Sequence, residues 1–326
     1  MARLTPRIVV AAAVLAVLAL VPVASVLLEQ SFYVTLFTRI MIFALAAMGL
    51  NLILGYGGLV SFGHAMYIGI GAYAVGILTF HGVGSGWAHL AAALAVGGVV
   101  ALVVGAVCLR TSGMAFIMIT LAFAQMVFFL GVSLRDYGGD DGLQIPNRSD
   151  FGLFSLADGT VLYYSTFALL VGVLFLTHRL VHSRFGMVLR GCKGNERRMK
   201  ALGFPTLRYK LAAYVISALV CVLAGVLLGN LTRFVAPAYM AWTVSGELIV
   251  MIVLGGLGTL FGPIVGAAAL LLLEEVLSSF KTGIDAIDQV LSQHWLALIG
   301  LFIVLVVLVL KQGLWGRLVA REESRR

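Results

Sequence analysis

Apolar runs of roughly twenty residues recur along this chain, separated by short polar or glycine-rich breaks. A helix of about 20 apolar residues crosses the hydrocarbon core of a bilayer. Counted against that length, the pattern predicts ten transmembrane helices, near 8–28, 36–54, 59–80, 88–109, 113–134, 160–178, 210–231, 246–258, 262–280 and 294–311. The eighth and ninth share one long apolar stretch from Glu247 to Phe280, punctuated by Gly255, Gly256, Gly258, Gly262 and Pro263. That stretch is too long for one helix and long enough for a tight hairpin. The first run follows Arg3 and Arg7 and exceeds the 7–15 residues of a secretory h-region, so an uncleaved first span is expected.

Composition agrees with the pattern. The chain is 61% hydrophobic and only 11% charged, with mean hydropathy +1.07. A soluble domain needs roughly a quarter of its residues charged. The expected fold is an all-α polytopic transmembrane bundle forming one domain over 1–326. Its 38 glycines suit helices that pack backbone to backbone in lipid, where no hydrophobic force drives them together.

Charge then sets the orientation. Residues 179–209, with Lys210 just beyond, form the longest polar segment between apolar runs. Arg179, Arg184, Arg190, Lys193, Arg197, Arg198, Lys200, Arg208 and Lys210 stand against Glu196 alone. That excess of eight equals the net charge of the whole chain. Basic loops stay on the cytoplasmic side, so both termini and this segment are expected inside. Residues 135–159, with Asp136, Asp140, Asp141, Asp150 and Asp158, then fall outside. The same rule accounts for the basic isoelectric point without nucleic acid as a partner; membrane lipid surrounds the bundle instead.

Several chemistries lack their residues. No G-x-x-x-x-G-K-[ST] phosphate loop surrounds any of the lysines, and no H-E-x-x-H or G-x-S-x-G motif occurs. Cys108, Cys192 and Cys221 have neither metal nor disulfide spacing. The chain is therefore expected to be no enzyme and to hold no metal or cofactor. Charges in the spans are few: Arg39, Glu247, Glu274 and Glu275, all read as near span ends. Proton-coupled carriers place such groups in mid-membrane, which disfavours a stand-alone secondary transporter.

Polar residues at the glycine-rich entrance to the third span stand out. Ser61 and His64 follow Gly55-Tyr56-Gly57-Gly58, a stretch where backbone can leave the helix and face a cavity. With Asn51 and Gln125 they are candidate pathway residues; close helix packing around a satisfied histidine is the competing reading. Leu54-Gly55-Tyr56-Gly57-Gly58-Leu59 also has an echo in Leu254-Gly255-Gly256-Leu257-Gly258. Internal repeats with glycine-interrupted segments occur in transporters.

The stretch from Gly49 to His64, followed by Gly69-Ile70-Gly71-Ala72-Tyr73, resembles the signature of bacterial branched-chain amino acid ABC importer permeases. Thr120 to Met126, Gly138-Gly139-Asp140-Asp141-Gly142-Leu143, Asn195-Glu196 through Ala201-Leu202-Gly203, and Val253 to Pro263 resemble further segments of that family in order, the outer and basic loops those of its M-type members. The resemblance implies a permease paired with a second related permease, two cytoplasmic P-loop ATPases that bind the ATP, and a periplasmic substrate-binding protein, in a bacterial inner membrane. Relatives carry urea, amides and aromatic acids as well.

The resemblance also implies that 179–209 couples to the ATPase, with Glu196, Ala201, Gly203 and Arg197 as contacts. A short helix is expected over 194–203, stopped by Gly203 and Pro205. Arg197-Arg198 depart from the small residues that commonly follow the family's glutamate. Asp140 and Asp141 are the expected receptor for the binding protein.

Overall fold

The computed structural model describes residues 6–27, 30–152 and 154–279, with 297, 299–302, 304–305 and 313–316 beyond them. Ten α-helices run in chain order through residue 279: α1 (Pro6–Leu27), α2 (Phe32–Asn51), α3 (His64–Phe80), α4 (Gly86–Cys108), α5 (Met114–Ser133), α6 (Gly159–His182), α7 (Arg184–Ala201), α8 (Thr206–Thr232), α9 (Trp242–Gly255) and α10 (Gly262–Ser279). A π-helical turn, Leu52–Tyr56, continues α2. Five helices are long and apolar enough to cross a membrane: α2 with its π turn, α4, α5, α6 and α8. The last expected span, 294–311, lies largely outside the described residues.

Burial divides the helices into two groups. The apolar windows of α2 and α8 are 89% and 67% buried, against 22–28% for α4, α5 and α6. The core is therefore α2 and α8 with α3, and the apolar outer faces of α4, α5 and α6 are left for lipid or a partner. α3 and α8 approach closely enough that a Cβ on Gly71 would strike the Val222 carbonyl, and one on Gly225 the Ile68 carbonyl. The interlock is reciprocal, and only hydrogen fits at either position.

Four expectations change. The third span begins at His64, not at residue 59, because Gly58 takes φ +69 and the chain from Gly57 to Gly63 is irregular. Arg39 does not open a span; α2 begins at Phe32, placing Arg39 two turns in, its guanidinium 5.8 Å from the Phe43 ring centroid. The basic segment is helical from Arg184, and it kinks at Asn195 (φ −159°, ψ 99°). The short helix expected from 194 accordingly starts at Glu196, with Asn195 Oδ1 accepting from the Arg198 N–H at 3.0 Å. The glycine hairpin appears where expected, as α9 and α10 joined by 256–261.

At the other end of α6, the loop 135–159 is pinned by a two-residue antiparallel pair, β1 (Leu143–Gln144) with β2 (Phe234–Val235). Asp158 caps α6 by accepting from the Thr160 N–H at 2.9 Å, which satisfies one of the orphan donors of a helix start. α6 is 24 residues long, so this loop and α7 lie about 36 Å apart.

Candidate functional site

The two glycine-rich breaks meet. Asn51, the last residue of α2, donates from Nδ2 to the Thr259 carbonyl at 2.8 Å and accepts at Oδ1 from the Gly258 N–H at 3.1 Å. Gly55 lies against the same turn: a Cβ there would come 2.6 Å from Gly258 N and strike Asn51 Oδ1. The echo noticed in the sequence is thus a contact, one broken helix end seated on another. The π turn leaves the Gly55 carbonyl available, and Lys193 Nζ on α7 donates to it at 2.7 Å. π turns inside helices concentrate at functional sites.

Ser61 and His64 are together but apart from Asn51. His64 is fully buried. Its Nε2 is 2.9 Å from Ser217 Oγ, and its Nδ1 is 2.9 Å from Ser61 Oγ. Ser217 donates its only hydroxyl proton to the Gly49 carbonyl at 2.6 Å, so it accepts from His64. The imidazole is therefore the Nε2–H tautomer and takes the Ser61 proton at Nδ1. Tyr67 and Tyr214 sit edge-on to the ring at 5.6 and 5.3 Å, joined by a hydroxyl–hydroxyl bond of 3.2 Å. Gln125 stands half-buried on α5, five residues beyond Thr120, whose Oγ1 accepts from the Phe62 N–H at 3.3 Å.

The basic helix is amphipathic. Gly186, Val188, Leu189 and Cys192 face the bundle, and burial pushes the Cys192 thiol above its ordinary value. Past the kink, Glu196 binds inward. Oε1 accepts from Thr206 Oγ1 at 3.2 Å and pairs with Lys200 at 3.1 Å; Oε2 pairs with the buried Lys210 at 2.8 Å. Burial by itself would raise this carboxyl, but the Lys210 and Lys200 hydrogen bonds outweigh it and hold it below the ordinary glutamate value.

A Schellman motif ends the helix: the Phe204 N–H reaches the Met199 carbonyl at 3.1 Å, the Gly203 N–H reaches Lys200 at 2.9 Å, and Gly203 sits at φ +86. The turn presents Ala201, Leu202, Gly203 and Phe204 to the surroundings, with Arg197 exposed beside them. Asp140 and Asp141 are exposed in the glycine turn at the opposite end. Among the described residues no cluster of His, Cys, Asp or Glu could hold a metal ion.

The sequence pointed to Asn51, Ser61, His64 and Glu196 but not to the residues that hold them. Ser217 was legible as a lone hydroxyl in an apolar run. Thr206 and Lys210 lie one turn apart at a helix start, a signal that both face one side. Lys193 carried none beyond its charge.

Long apolar helices around a buried core, with one strongly basic helix between them, define a multi-pass integral membrane protein. Residues 32–311 match the family model described as branched-chain amino acid transport system, permease component, and the chain belongs to that family. It is 29% identical over 269 residues to the high-affinity branched-chain amino acid transport permease LivM of Salmonella typhimurium, covering 75% of this chain and 63% of that protein. It therefore spans less than two thirds of that relative's length. It is 26% identical to LivH of Escherichia coli over 84% of this chain and 91% of that one. To the probable LivM of Methanocaldococcus jannaschii it is 26% identical over 82% and 88%. No solved structure matches it.

Proposed function

We propose that this chain is a transmembrane permease subunit of a binding-protein-dependent ABC importer, carrying branched-chain amino acids across a bacterial inner membrane. Both termini and α7 face the cytoplasm, in a ten-span topology. A second related permease completes the pathway, and two P-loop ATPases bind the ATP. The observation that carries this reading is the turn at 201–204: an exposed, apolar-tipped helix end, rimmed by Arg197 and Arg198 and built rigidly into the bundle. A loop needed only for topology has no use for such a tip.

Arg197, Ala201 and Gly203 are the ATPase contact, and Glu196 holds their turn in place through Thr206 and Lys210. Lys193 carries movement of α7 to the glycine break at Gly55 and Gly258. The pathway lies beside Asn51, Ser61, His64 and Gln125. It is weakly polar, as suits a route fed by a separate receptor docking near Asp140 and Asp141.

The test is a mild-detergent pull-down of the tagged chain from native membranes, with mass spectrometry of its companions. A second permease and P-loop ATPases are expected. Recovery of the chain alone, where other ABC complexes stay intact, overturns the importer reading and restores the stand-alone carrier.

A further inference from the structure

We propose that the end of the bundle opposite α7 holds a glycerophospholipid, its phosphate between Arg148 and Arg233 and an acyl chain in the groove between α4, α6 and α8. This rests on the chain's being a membrane protein and not on what it transports.

A cavity of about 670 Å³ opens there, lined by Arg148, Arg233, Asn147 and Asp150 among others. Arg148 is fixed in it. Its Nε donates to the Asn230 carbonyl at 2.8 Å, and Nη1 donates to Ala157 and Leu156 carbonyls at 3.0 and 3.4 Å. Those bonds hold the guanidinium at the cavity wall. Arg233 is the one non-glycine residue with positive φ among those described (φ 53°). It caps the C-terminus of α8, a position where glycine is the unstrained choice. Strain kept at a site that glycine would relieve points to a use for the side chain. Asp150 and Asp158 stand near the arginines, and each spends its Oδ1 on a backbone N–H, of Gly152 at 3.0 Å and of Thr160 at 2.9 Å. Two arginines lining one cavity suit a phosphodiester.

The second observation is independent. Trp87 and Phe151 also line an adjoining groove of about 870 Å³, so the cavity and the groove share a wall. The groove runs along α6 from Thr160 to Leu176, with Leu223 and Leu227 of α8 on its far wall. Sixteen residues of helix measure about 24 Å, more than half of the roughly 30 Å hydrocarbon core. Gly172 leaves it open toward its far end, where an added Cβ would meet nothing within 4 Å. Trp87 is held at the junction by its indole N–H to the Phe151 carbonyl at 3.2 Å, and Phe151 stacks on Phe154 at 5.0 Å. A basic polar head site, an aromatic collar and an apolar channel within the spans have the profile of one diacyl phospholipid.

The experiment uses the full complex purified in mild detergent, with bound lipid counted by native mass spectrometry after exhaustive washing. Arg233→Gly removes the guanidinium and relieves its backbone; Gly172→Leu fills the groove without touching the head site. Wild type is expected to retain one phospholipid per copy of this chain, and each variant at least tenfold less, with unchanged complex assembly. Added phosphatidylglycerol should restore the lipid to stripped wild type, whereas inorganic phosphate or diacylglycerol should not compete for it. Retention equal to wild type in Arg233→Gly, equal competition by diacylglycerol, or a tightly held protein segment in place of lipid overturns the proposal. Wild type that retains no phospholipid does so too.

Discussion

Lys193 Nζ donates to the Gly55 carbonyl across 2.7 Å, joining the basic helix α7 to the π turn that ends α2. Its aliphatic stem fills the space over Gly58, where a Cβ would approach Lys193 Cγ to 2.8 Å. Since Gly55 lies against Gly258, three elements meet through one side chain. A hydrogen bond from a charged donor is worth about 1.5–3 kcal/mol, and Lys193→Met removes it while keeping most of the stem. We expect the complex to assemble and hydrolyse ATP, with substrate moved per ATP reduced about tenfold. Parallel transport and ATPase assays in proteoliposomes check this; an unchanged ratio would show that Lys193 merely caps a helix end.

Gly203 makes a conformational demand and not a spatial one. Its φ is +86, and an added Cβ would meet nothing within 4 Å. A β-branched residue in the left-handed region costs about 1–2 kcal/mol. Gly203→Val should therefore disturb the turn at 201–204 and abolish transport while the subunits still copurify. Gly203→Asn, which tolerates that φ, should stay within a few-fold of wild type.

Asn51 uses both ends of its amide on the facing turn. Asn51→Asp keeps the shape, loses the donor to Thr259, and buries a charge. A loss of about 1–3 kcal/mol follows from the unsatisfied carbonyl alone, and the charge adds to it. Thermal unfolding of the detergent-purified protein should show the drop. A melting temperature equal to wild type would mean that the two turns are held together elsewhere.

The Glu196 carboxyl sits below its ordinary value in the folded chain. Its contribution is therefore complete above the ordinary glutamate value, about 4.3, and disappears as pH falls through the depressed one. Amide protection over residues 196–206, taken relative to the intrinsic exchange rate at each pH, should hold steady from neutral pH down to that value and fall below it. Glu196→Gln should be less protected at neutral pH and show no such step.

The helices were legible because an apolar run of bilayer length has one stable outcome. Both glycine breaks were legible too, since glycine clusters mark where backbone departs from helix. Their meeting was not, because nothing in the local pattern of Asn51 says that Gly258 will be its partner. The basic segment misled in a particular way. Only a short helix over 194–203 was expected there, yet the chain is helical from Arg184, and Gly186 is buried where it turns from α6 into α7, against the Val181 and Leu180 carbonyls. Tertiary packing, not propensity, decided that stretch. The strain at Arg233 was equally invisible, since only coordinates give φ.

The reciprocal fit of Gly71 on Val222 and Gly225 on Ile68 has a mechanical meaning. Two helices whose backbones touch cannot slide by a fraction of a turn, because each carbonyl would collide with the other strand of the pair. α3 and α8 must therefore travel as a single strut, carrying the His64–Ser217 bond with them unbroken. Any opening and closing has to take place around that strut, at the irregular glycine turns that flank it, and the strut is the fixed frame against which those displacements should be measured.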